Sequence, residues 1–299
     1  MNAPSNDAPL IQVSGLMKNF DTTQVLKGVD LTIPRGTVTG LLGKNGSGKS
    51  TLLKCLLGLL KSSSGKATIL GEDPWHLSAE AKGQLGYVAQ EVSLYAWMRV
   101  RQIIEYTAAF YPTWNNDLAL DLARRWELPT EDRVGPMSQG QQQKLALILA
   151  LGHEPDLLIL DEPVASLDPS ARREFLSTLL EVTRDENRTV LFSTHITTDL
   201  ERVADHVAVL QEGKIVYHDE LDDLKDSVKR LRVTSEADLP TSFGVANSLR
   251  SEISGKHAMV AVTEVGPTLV EEIESRWQAS VTVEDLSLEE IFLEMHGDA

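Results

Sequence analysis

Cysteine is almost missing from this chain. Cys55 is the single one in 299 residues, so no intrachain disulfide is possible and a reducing compartment fits best. Its neighbours Leu52, Leu53, Leu56 and Leu57 mark it as a core thiol. Long apolar runs are missing too. The longest one beside a helical pattern, residues 145–151, falls far short of the ~20 residues of a membrane-spanning helix. Residues 1–9 carry no apolar core of a signal peptide and read as a loose polar tail. Positive charge is scarce: 28 Lys and Arg stand against 44 Asp and Glu, a net charge of −16. That argues against non-specific nucleic-acid binding, which needs a basic surface, and against unaided adhesion to anionic lipid. Work at a membrane would need another chain to supply the membrane part. The chain has no N-K-x-D run of the kind that reads guanine, no internal repeat and no low-complexity segment.

What is present is ordinary for a soluble globular protein, with 42% hydrophobic and 24% charged residues. The length suggests about two domains. One stretch organises the rest: Gly43-Lys44-Asn45-Gly46-Ser47-Gly48-Lys49-Ser50-Thr51 fits G-x-x-x-x-G-K-[ST] without a mismatch. Residues 38–42 before it are apolar enough for a buried strand, and residues 52–57 after it read as a helix, which is the context this phosphate loop requires. Glycine lets backbone N–H groups close around phosphate oxygens because no Cβ intervenes. The following helix adds the positive end of its dipole. Lys49 is expected to reach the β- and γ-phosphates, and Ser50 to place its hydroxyl on Mg²⁺.

Along the chain, residues 10–13 are expected to begin an edge strand, Phe20 to lie in a loop, and residues 25–33 to form a second strand. Strands are expected at 66–70 and 85–89, the latter ending on Gln90. Residues 91–152 change to helical periodicity, broken at 113–116, and read as a helical insertion. Residues 157–160 are continuously apolar, as a strand buried on both faces requires, and end on Asp161-Glu162-Pro163. A helix at 172–184, a strand at 189–193 ending at Thr194-His195, and a hairpin at 207–217 follow. Residues 218–226 look like a boundary. Beyond them come strands at 229–234, 258–263 and 280–283 and helices at 267–277 and 287–295, a small α+β domain.

Four expected strands thus end at Gly43, Gln90, Asp161 and His195. Ligands of open α/β sheets bind outside the carboxyl ends of the strands, so these groups are expected to form one site. Successive strand residues face opposite ways, so Asp161 can hold Mg²⁺ beside Ser50 while Glu162 projects toward an attacking water. Glutamine and histidine at strand ends are more often solvated or structural, so Gln90 and His195 depend on the company they keep. Ser138 and Gln141 have the spacing of a helix capping box; the alternative is that this helix N-terminus faces a phosphate.

Taken together, Phe20, the loop at 43–51, Gln90, Ser138-Gln139-Gly140-Gln141, residues 157–162, Ser166-Leu167-Asp168 and His195 resemble, in order and spacing, the ATP-binding subunits of ABC transporters. The resemblance covers residues 10–224. It implies an α/β P-loop NTPase cassette with a mixed central sheet, an antiparallel β subdomain and a helical subdomain at about 91–152, followed by the accessory α+β domain at 228–299. It also implies ATP hydrolysis with Mg²⁺. Phe20 would stack on adenine. The phosphate cradle would be Gly43, Asn45, Gly46, Ser47, Gly48, Lys49, Ser50 and Thr51. Gln90 would lie near Mg²⁺ and the membrane subunit, Glu162 would be the catalytic base, His195 would hold the γ-phosphate, and Lys49 would complete the catalytic set on the β- and γ-phosphates. Asp168 would sit at a dimer interface, and Ser138, Gly140 and Gln141 would form the signature that meets the neighbour's ATP. The usual signature is L-S-G-G-Q; here Met137 and Gln139 replace its leucine and first glycine. Residues 94–100 would meet the membrane subunit.

Residues 286–293 are similar to the tails of drug-exporter-like ABC ATPases, whose permeases are separate ABC-2 type chains. The expectation is an exporter subunit, a homodimer around two ATP, held at the cytoplasmic face of a membrane through its permease and not binding nucleic acid. The alternative is a soluble ABC ATPase acting on ribosomes or nucleic acid. Those usually carry two cassettes in one chain or a long coiled coil, and neither is present.

Overall fold

The computed structural model describes residues 8–165, 167–184, 188–240 and 243–296. Residues 1–7 of the expected tail and Ser166 lie outside them. The chain divides into two compact units, Met1–His218 and Asp219–Ala299.

The first unit begins with β1 (Ile11–Phe20) and β2 (Thr23–Ile33), continues with β3 (Val38–Leu42) and α1 (Lys49–Leu56), and returns through β4 (Ser64–Ile69). A three-stranded antiparallel sheet has the order β2-β1-β4. The expected edge strand is therefore central. Ile11 pairs with Ile33 on one side and Ile69 on the other, and all three are fully buried. Phe20, expected in a loop, is the last residue of β1. Leu52, Leu53, Cys55 and Leu56 turn from α1 into the core beneath this sheet, each fully buried leucine contributing roughly 1.5–3 kcal/mol.

Next come α2 (Ala79–Gly83), β5 (Leu85–Val88), α3 (Val100–Ala108), α4 (Asn116–Arg125) and α5 (Gln139–Leu151). Then follow β6 (Leu157–Asp161), α6 (Pro169–Arg184), β7 (Thr189–Thr194), α7 (Thr197–Val203), β8 (His206–Gln211) and β9 (Lys214–Glu220). The six-stranded sheet has the order β5-β6-β7-β3-β8-β9. The pairs β5·β6, β6·β7, β7·β3 and β3·β8 are parallel. β9 follows β8 after only Glu212 and Gly213, a connection that reverses the strand and makes the sheet mixed. β3, β6 and β7 are buried along their whole length, the cause of their unbroken apolar runs.

The second unit holds α8 (Leu221–Ser227), β10 (Val228–Ser235), β11 (Ser248–Ser254), β12 (His257–Thr263), α9 (Pro267–Trp277), β13 (Ala279–Asp285) and α10 (Leu288–His296). Its antiparallel sheet runs β11-β12-β10-β13. Leu231, Val233, Val260, Val262, Phe243 and Ile273 form its core. Two of these elements are not visible in the pattern. β11 is almost wholly exposed and polar, so it shows no alternation. α8 lies in the acidic stretch read as a boundary, its helical signal reduced to the buried pair Leu221 and Leu224.

Deleting residues 228–299 removes β10 through α10 and no residue that lines the cleft described below. The shortened chain is expected to stay folded and bind ATP within about threefold of the full chain, measured with a fluorescent nucleotide and circular dichroism. An insoluble product, or a soluble one that binds no ATP, would contradict this division.

Candidate nucleotide site

The loop between β3 and α1 needs its glycines for two separate reasons. A Cβ at Gly43 would lie 2.5 Å from the Leu210 carbonyl oxygen and 2.6 Å from Ser47 Oγ. Gly48 has φ 108° at the N-cap of α1, a region closed to most L-residues. The chain thereby turns straight into α1, whose first residue is Lys49. Unpaired N–H groups of a helix start favour an anion there.

Lys49 is buried, and its Nζ donates to the carbonyls of Gly43 (2.7 Å) and Lys44 (3.3 Å). It also stands 3.1 Å from Glu162 Oε1, both side chains being almost fully enclosed. The other carboxylate oxygen, Oε2, lies 2.9 Å from His195 Nδ1. A carboxylate only accepts, so that contact places the hydrogen on Nδ1. Glu162 itself has φ 47°, a left-handed conformation that costs a non-glycine residue of order 1 kcal/mol or more. The Glu162 N–H donates to Ser193 Oγ at 2.9 Å, which holds this turn at the end of β6.

Asp161, one residue earlier, faces the other way. Its Oδ1 accepts from Ser50 Oγ at 3.1 Å and from Ser193 Oγ at 2.7 Å. Nothing in the sequence around Ser193 marks it as a site residue. Only the register of β6 on β7, which sets Asp161 opposite Ser193, brings it between both carboxyl-bearing residues.

An open cleft of about 440 Å³ is lined by Asn45, Gly46, Gly48, Lys49, Ser50 and Thr51, with Val25, Gln90 and Glu162. The residues fit a triphosphate and a divalent cation. Ser47 Oγ is buried in the loop with no partner among the described residues, a donor suited to a phosphate oxygen. Ser50 and Asp161 present hydroxyl and carboxylate oxygens together, the hard donors that Mg²⁺ takes.

β5, β6, β7 and β3 are consecutive neighbours in the sheet, so Gln90, Asp161, Glu162, His195 and the loop gather at one end of it. Other expected site residues are not among those lining the cleft. Phe20 is 43% exposed at the end of β1, with Lys18 Nζ 4.8 Å from its ring centroid; Val25 borders the cleft instead. Ser138 is the N-cap of α5, its Oγ accepting from Gln141 N–H (3.2 Å) while Gln141 Oε1 accepts from Ser138 N–H (3.0 Å). This reciprocal box is the capping alternative read from the spacing. A Cβ at Gly140 would meet Leu167 at 3.2 Å. Asp168 opens α6: its Oδ1 accepts from the N–H groups of Ala171 and Ser170, and these bonds hold its carboxyl below the usual range. Ser166 beside it is outside the described residues.

Four residues after His195, Asp199 is buried and stands 3.8 Å from Arg172 of α6. Burial raises its pKa, with Arg172, Arg202 and His195 opposing the rise.

The sequence pattern of the family described as "ABC transporter" matches residues 26–165. The ABC transporter ATP-binding protein NatA of Bacillus subtilis is 33% identical over 210 residues, covering 68% of this chain and 85% of that one. The bacitracin transport ATP-binding protein BcrA of Bacillus licheniformis is 30% identical over 218 residues, covering 72% and 71%. A solved structure of an ATP-binding subunit of an ABC transporter superposes with a TM-score of 0.66 at 28% identity, over 73% of this chain and 92% of that one.

Proposed function

This chain belongs to the ATP-binding proteins of ABC transporters, a family of ATPases, and from that premise we propose that it is the energy-coupling subunit of an exporter. It works as a dimer of identical chains around two ATP and drives separate membrane permeases of the ABC-2 type. The observation that carries the ATPase part is the ring of contacts around Glu162, with Lys49 on one carboxylate oxygen and His195 on the other. The relation to a bacitracin transport protein supports export. No helix among the described residues is long and apolar enough to cross a membrane, which supports a separate permease.

In this reading, the backbone of residues 43–48 and the start of α1 cradle the phosphates. Lys49 moves from Glu162 to the β- and γ-phosphates, since one ammonium cannot serve both fully. That frees Glu162 to accept the proton of an attacking water, while His195 turns from Glu162 and donates its ring N–H to the γ-phosphate. Ser50, Asp161 and Gln90 hold Mg²⁺, which supplies charge neutralisation of the phosphate oxygens. Phe20 carries the adenine, and Asp168 lies where the two chains meet. Residues 94–100 meet the permease. Tyr95, Trp97, Tyr106 and Phe110 are all exposed there and stand in a continuous series of ring contacts, with centroids 6.1, 5.8 and 5.1 Å apart, a surface suited to an apolar partner.

The test is affinity purification of the tagged chain from detergent-solubilised membranes. A multi-helix membrane protein is expected in comparable amount, and lost when Trp97 and Phe110 are changed to Ser. Recovery of ribosomal proteins in its place would overturn the exporter reading.

A further inference from the structure

Beside the nucleotide cleft lies a second hollow, of about 320 Å³. Gln90, Glu91 and Val92 line one side and Gln139, Gln142 and Gln143 of α5 the other. Gln90 belongs to both cavities. The α5 glutamines differ in their state. Gln142 Nε2 donates to the Met137 carbonyl at 3.1 Å. Gln143 is only 2% exposed, and its buried Nε2 has no hydrogen-bond partner among the described residues. A buried amide nitrogen without an acceptor destabilises a fold, whereas an apolar side chain of the same shape would not. Leu147, on the same face one turn later, is apolar and fully buried.

We infer that Gln143 is a positioning residue for Gln90. The two carboxamides pair across the hollow when α5 and the segment after β5 draw together. A carboxamide is both donor and acceptor, so one bond to Gln143 uses one end of the Gln90 amide and leaves the other for the nucleotide cleft. The start of α5, which carries Ser138, is thereby tied to the cleft of its own chain through one hydrogen bond. This rests on the proposed placement of Gln90 beside the nucleotide.

The test is a double-mutant cycle in the full-length chain, reading steady-state ATP turnover, KM and melting temperature for Gln143→Leu, Gln90→Ala and the pair. Gln143→Leu is expected to lower kcat on the order of tenfold, the worth of one lost hydrogen bond, with KM unchanged. Its melting temperature should be equal or higher, because the unpaired amide is gone. In the Gln90→Ala background the same change should have no further effect. A purely structural Gln143 predicts the reverse: lowered melting temperature and unchanged kcat. Wild-type kcat in Gln143→Leu, or multiplicative losses in the pair, would overturn the coupling while leaving the role of Gln90 intact. Wild-type turnover in Gln90→Ala alone would remove Gln90 from the cleft chemistry, and the inference with it. Gln143→Met serves as the second variant if Gln143→Leu does not fold; failure of both to fold would assign Gln143 to structure and overturn the proposal.

Discussion

Glu162→Gln is expected to keep ATP binding and to lose turnover by about 10²–10⁴-fold, the usual worth of a positioned general base. The substitution changes no volume. The amide oxygen can still accept from His195 Nδ1, which lies 2.9 Å from the carboxylate, and the backbone bond from residue 162 to Ser193 is untouched. The proton acceptor disappears, and so does the negative charge 3.1 Å from Lys49. Lys49 then has no competitor for the phosphates, so ATP affinity should be equal or tighter. Single-turnover hydrolysis and equilibrium binding on the purified variant check both halves. Near-normal turnover would take Glu162 out of the mechanism. Weakened binding would show instead that its carboxylate is needed to place Lys49.

The second large effect concerns sharing of the site. Ser138, Gly140 and Gln141 do not line the cleft of their own chain. Ser138 and Gln141 cap an α5 N-terminus at which Ser138 is exposed. If two copies sandwich the nucleotide, Lys49→Ala disables the loop a chain uses itself, and Ser138→Arg blocks the helix start it offers its neighbour. A mixed dimer then has one site with both lesions and one with none. With Glu162→Gln added to both chains, the mixture should form an ATP-dependent closed dimer, while each mutant alone remains monomeric or open. Dimer mass by light scattering is the readout, because turnover can require both sites. A mixture no better than either mutant would mean that the sites are not shared between identical chains.

The phosphate loop, its flanking strand and helix, and the capping box of α5 could all be read from the sequence, because each is a local pattern of adjacent residues. Glycine content, a 3.6-residue period and an unbroken apolar strand need no partner to be recognised. The carboxyl ends at Gln90, Asp161 and His195 could be named as one site from the general behaviour of open sheets. What only the tertiary structure decided depends on which strands lie side by side. The order β5-β6-β7-β3 makes those ends neighbours, and β1 is central because β4 returns to it from beyond α1. Ser193 enters the site through a cross-strand register. Neither the left-handed turn at Glu162 nor the contact of Lys49 with its carboxylate has a sequence signature. Glutamate there and lysine 113 positions earlier are compatible with many separations; the strand order that sets β7 between β6 and β3, with α1 starting just after β3, brings them to 3.1 Å.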